Sequence, residues 1–111
     1  MHMNGSVGNL SFGELIQALR REKKWTVKDF IEKIQVKGYK SISPAYVTRI
    51  EVHGEIPSPE LICIIADLFG YDEETLLTHA KKIKLQRFDR ALKQKYEKAA
   101  GLYRAQKTGG A

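Results

Sequence analysis

The chain has one cysteine, Cys63, so it has no internal disulfide. That usage fits a reducing, cytoplasmic setting. No apolar run approaches the ~20 residues that a membrane helix needs. The run around the cysteine, LICIIA, makes Cys63 a small buried apolar residue rather than a reactive thiol. The opening MHMNGSVGN lacks a charged start followed by an apolar stretch, so residues 1–9 read as a disordered tail, not a signal peptide. His2, His53 and His79 are scattered, and His53 in EVHGE reads as an exposed loop residue. No cysteine, histidine or carboxylate grouping has metal-ligand spacing. There is no glycine-rich phosphate loop and no nucleophile motif. These gaps point away from an enzyme and give no reason to expect a metal, a cofactor or a membrane partner. No stretch alternates with period two, which leaves little room for strands.

Basic residues are also missing from one place. Residues 50–80 hold no lysine or arginine and seven acids, a charge of −7. On one side, residues 20–49 carry nine basic and three acidic residues, or +6. On the other, residues 81–111 carry ten basic and two acidic residues, or +8. The whole chain is +6. Charge separated in this way makes an oriented field, and either basic segment suits phosphates.

What is present is a set of helix starts. Ser11 with Glu14, and Thr26 with Asp29, have the spacing of capping boxes. Phe12, Leu15, Ile16 and Leu19 then make one apolar face, in a helix running to about Lys23. Val27, Phe30, Ile31 and Ile34 make the next. Ser43–Pro44 and Ser58–Pro59 each place a capping serine before a proline at the first helical position. Val47 and Ile50 follow the first as an inward pair. Leu61, Ile62, Ile64, Ile65 and Leu68 follow the second, and Gly70 is a natural stop. Asp72, Glu73 and Glu74 favour the start of a fifth, short helix with Leu76 and Leu77. The fold expected is all-α, a domain over residues 10–80. Residues 81–107 form a long basic C-terminal helix, and 108–111 a disordered end.

That last helix carries Leu85, Phe88, Leu92, Tyr96, Ala99 and Tyr103 at steps of 3, 4, 4, 3 and 4. This is one narrow stripe, suited to packing along a single seam. It serves either a helix folded back on the domain, a homodimer contact or a helix ordered by a partner, and dimerisation is the reading preferred.

TVKDFIEKI, ISPAYVTRIE and PSPELICIIADLFGYDEETLL together resemble the helix-turn-helix domain of the phage repressor and Cro family, also called the XRE family. The resemblance covers about residues 10–78. It implies a five-helix, repressor-like fold and a sequence-specific transcriptional regulator of double-stranded DNA. By the resemblance, helix 43–53 enters the major groove with Ser43, Pro44, Ala45, Tyr46, Thr48 and Arg49 outward. In that groove Arg49 suits guanine, Ala45 a thymine methyl, and Ser43, Tyr46 and Thr48 a base edge or phosphate. The helix start at Thr26 and Val27, with Lys28, is a phosphate seat. Glu51 reads as a structural acid paired with a basic residue of the fold.

The chain departs from the family between the two motif helices. Ile31 stands where the family has alanine, Gln35 where it has glycine, and VKGYKS looks inserted before Ile42. Gly38 supplies a positive φ there. Lys37, Tyr39, Lys40 and Ser41 then suit the DNA backbone beside the recognition helix. Arg20 and Lys24, one turn apart in the basic end of the first helix, are further phosphate candidates. A homodimer on a palindromic operator would place its reading helices ~34–36 Å apart. The alternative is an antitoxin or transcriptional cofactor, in which the same domain and tail bind a protein partner. RNA binding is a further option.

Overall fold

Ser11 and Thr26 open their helices in the same reciprocal way. Each hydroxyl accepts from the backbone N–H three residues on, at 3.1 Å from Glu14 and 3.0 Å from Asp29. Each carboxylate accepts from the N–H of its capping residue, at 2.9 Å. The capping boxes thus set the starts of α1, Phe12–Glu22, and α2, Val27–Val36. Ser43 caps α3, Pro44–Glu51, and Ser58 caps α4, Pro59–Phe69, with a proline in the first turn of each. The last helix, α5, runs Glu73–Gly109. The computed structural model describes residues 10–109, with side chains through 106, and these residues form five helices and no strand. Residues 1–9 and 110–111 of the expected tails lie outside the described residues.

Three helices end alike. Beyond α1 the N–H groups of Lys24 and Trp25 donate to the carbonyls of Arg21 and Arg20; beyond α2 those of Gly38 and Tyr39 donate to Gln35 and Ile34. Beyond α4, Gly70 and Tyr71 donate to Asp67 and Ala66. This closure needs one left-handed residue. Gly38 (φ 103°) and Gly70 (φ 62°) supply it without a Cβ penalty, and Lys24 supplies it at φ 61° with one.

The chain divides into two units at Ala80–Lys81. In the first, α1 and α2 both pack on α3, and α2 also packs on α4. Their core holds Phe12, Leu15, Ile16, Phe30, Ile31, Ile34, Val47, Ile50, Leu61, Ile62, Ile65 and Leu76. Trp25 stacks on Phe69 at 5.4 Å between ring centres, and Lys33 sits over the Trp25 ring at 4.9 Å. Cys63 is half-buried rather than buried, and desolvation followed by Glu73 pushes its thiol pKa up, away from a reactive thiolate. The second unit, residues 81–111, consists of the later part of α5 in its described residues. The short fifth helix and the long tail helix expected separately are one helix, because no residue at that junction breaks the pattern. No helix among the described residues is long and apolar enough to cross a membrane.

Candidate nucleic-acid interface

The backbone of α3 is held from behind by a buried ion pair. Arg20 of α1 donates from Nε to Glu51 Oε2 at 2.8 Å and from Nη2 to Glu51 Oε1 at 2.9 Å. Its Nη1 donates to the Trp25 carbonyl at 2.8 Å. Both residues are about 8% exposed, so the guanidinium is used up inside the protein. The Glu51 hydrogen bonds raise the Arg20 pKa, against the opposing effect of burial. Glu51 is therefore the structural acid that the sequence suggested. Arg20 is not available to a phosphate. Lys24, at the other end of that proposed pair, stays exposed.

Gly13 holds the same end of α3 more closely still. A Cβ on it would stand 2.3 Å from the Ile50 carbonyl oxygen and 2.7 Å from that of Glu51. Helix α1 thus touches the backbone of α3 where only glycine fits. Val47 and Ile50 are buried beside this contact. With its inner side fixed, α3 exposes Ser43, Pro44, Ala45, Thr48 and Arg49. Tyr46 does not join them. It is half-buried, and burial, then Tyr39 and Glu55, push its hydroxyl pKa up. Its ring lies under the Arg49 guanidinium at 5.3 Å. Tyr46 acts as a platform for Arg49, a role its place on the helix did not disclose.

Arg49 is held on its other side by Glu55. Its Nε donates to Glu55 Oε1 at 2.8 Å, while the Glu55 N–H donates to the Arg49 carbonyl at 2.9 Å. Glu55 went unnoticed in the sequence because five residues, with Gly54 (φ 78°) turning the chain among them, lie between the two. Tyr39, Lys40, Ser41, Ile42, Ser43, Tyr46, Arg49 and Glu55 line one shallow, open cleft. The insertion and the exposed side of α3 therefore meet.

The insertion is tied down at both ends. Val36 and Lys37 belong to the end of α2, as its last residue and its cap. The Lys40 ammonium donates to the Gln35 carbonyl at 3.0 Å, and Ile42 is buried. Tyr39 is half-buried, and Lys40 and Ser41 are exposed along the cleft. Lys37 leaves this group and pairs with Asp67 of α4. The start of α2 is less open to phosphate than its sequence suggested. The Thr26 N–H already donates to Asp29, and those Thr26 hydrogen bonds hold the Asp29 carboxyl below its usual pKa. An ionised carboxylate thus occupies the end where a phosphate would sit, beside half-buried Val27 and exposed Lys28. His53 is exposed, as expected.

The stripe residues Leu85, Phe88, Leu92, Tyr96, Ala99 and Tyr103 are all exposed on α5. Among the described residues no cluster of three histidine, cysteine or carboxylate groups could hold a metal ion. No protein-family model, curated protein or solved structure matches this chain.

Proposed function

We propose that this chain is a cytoplasmic, sequence-specific regulator of transcription that reads double-stranded DNA with α3 in the major groove. The reading follows the resemblance to the phage repressor and Cro family. One observation carries it: α3 is fixed by backbone contact and a buried ion pair on one side and is exposed and polar on the other. A groove-reading helix needs both properties, because base-edge hydrogen bonds discriminate only from a fixed position.

Arg49 is the main base-reading residue of the proposal. Its Nε is taken by Glu55, which leaves both Nη groups for guanine O6 and N7. Ser43, Ala45 and Thr48 flank it on the exposed side. Lys28, Tyr39, Lys40 and Ser41 supply the phosphate contacts that fix register. The regulator works as a homodimer on a palindromic site, through the α5 stripe.

Selection from a random duplex pool by the full-length protein, at near-physiological salt, tests the reading. The expected result is an inverted repeat with a guanine that Arg49→Ala no longer selects. Enrichment of a single half-site keeps DNA reading and removes the dimer. No enrichment, with only weak and steeply salt-dependent binding, points instead to an antitoxin or cofactor that grips a protein.

A further inference from the structure

We propose that the C-terminal helix pairs with the same helix of a second copy, antiparallel, about a twofold axis at Leu92. This deepens the homodimer reading above and does not depend on DNA binding.

The stripe residues are bare: Leu85 is 52% exposed, Phe88 63%, Leu92 39% and Tyr96 70%. From Leu85 to Ala99 their steps are 3, 4, 4 and 3, which read the same in either direction. A twofold axis across the helix at Leu92 therefore carries the stripe onto itself. Leu85 falls opposite Ala99, large against small. Phe88 falls opposite Tyr96, an aromatic pair that favours edge-to-face packing. Leu92 meets its own copy, and Tyr103 falls opposite Lys81, a cation over a ring. A parallel, in-register pair would instead set Ala99 on Ala99 and leave a gap.

Charge at the centre makes the same choice. A shallow groove there is lined by Asp89, Leu92, Lys93 and Tyr96. At about 100° per residue, Asp89 and Lys93 lie on the same flank of the stripe. Like flanks meet in an antiparallel pair. Asp89 of one copy then lies about 3 Å along the axis from Lys93 of the other. The twofold repeats the contact, so the Asp89 of each groove meets the Lys93 of the other. The remaining charge of residues 81–111 is strongly basic. It opposes pairing at low salt and is screened as salt rises. A nucleic acid or an anionic lipid surface on this helix would show the opposite trend.

Thiol cross-linking of the full-length protein, with Cys63→Ser in the background, tests the arrangement. Leu85, Asp89, Leu92, Lys93 and Ala99 are all exposed, and Cys63 is half-buried and takes a near-isosteric serine. Leu92→Cys should form a covalent dimer under mild oxidation. Leu85→Cys alone should not, since its two copies would lie about 21 Å apart along the axis. Leu85→Cys mixed with Ala99→Cys should give the mixed dimer. Leu85→Cys cross-linking to itself as readily as Leu92→Cys would overturn the antiparallel order. A wild-type dimer by sedimentation with no cross-link in any variant would move the contact off this helix. A monomer at every concentration would remove the dimer itself, and so would association seen only with added polyanion. Asp89→Lys should weaken association about tenfold and added Lys93→Asp should restore it; no effect of either removes the charge pairing. No arm contains DNA, so failure here and failure of the DNA reading remain separate results.

Discussion

Two arginine–glutamate pairs lie on opposite sides of α3, and they share an Nε–carboxylate distance of 2.8 Å. Their surroundings set them apart. The Arg20–Glu51 side chains are 9% and 3% exposed, whereas those of Arg49–Glu55 are 52% and 41% exposed. The first pair is out of water, so each member depends on the other to offset its desolvation. The second is solvated, so it adds little to stability and its members can change partners. Equal geometry therefore gives a structural clamp behind the helix and a surface group in front that a ligand can recruit.

Substitution should break that contrast most sharply at the clamp. Glu51→Ala strands a buried guanidinium and should cost about 3–5 kcal/mol in urea unfolding. Replacing both partners by apolar residues, Arg20→Met with Glu51→Leu, should recover most of that loss. Next in size is Gly13→Ala, which drives a methyl into two backbone carbonyls and should cost about 1–3 kcal/mol. In front, Arg49→Ala should leave the unfolding curve unchanged. It should remove about 1–3 kcal/mol of guanine discrimination in competition binding. Glu55→Gln should be smallest, changing stability by less than about 1 kcal/mol. Its readout is a broader base preference at the position that the proposed function assigns to Arg49. If Glu55→Gln destabilised as much as Glu51→Ala, the contrast between the two sides would be lost.

Sequence patterns gave the helices where the causes are local. Ser11, Thr26, Ser43 and Ser58 cap within three residues, and the apolar faces follow the 3.6 period. Glu51 was legible as a structural acid because the resemblance assigned its helix to DNA, and an acid faces a polyanion badly. Its partner was not legible, because Arg20 lies 31 residues away within a run of basic residues. Gly13 carried no signal at all: its reason is the backbone of another helix. Tyr46 looked outward by position, yet it is half-buried and shares its cleft with Tyr39 of the insertion. Lys37 looked free until α4 brought Asp67 to it. The Thr26 amide was assigned to phosphate, although the capping box recognised in the same residues already filled it.

The close approach of Gly13 to the α3 carbonyls also bears on how this surface can change over generations. Helix α3 is located by main-chain atoms and by Arg20, Val47, Ile50 and Glu51, none of which is on its exposed side. Ala45, Thr48 and Arg49 can therefore be exchanged without altering where the helix lies. Under the proposed DNA-reading role, folding and recognition fall to separate sets of positions, so exchange on the outer side changes what is bound and leaves the position of the helix unchanged.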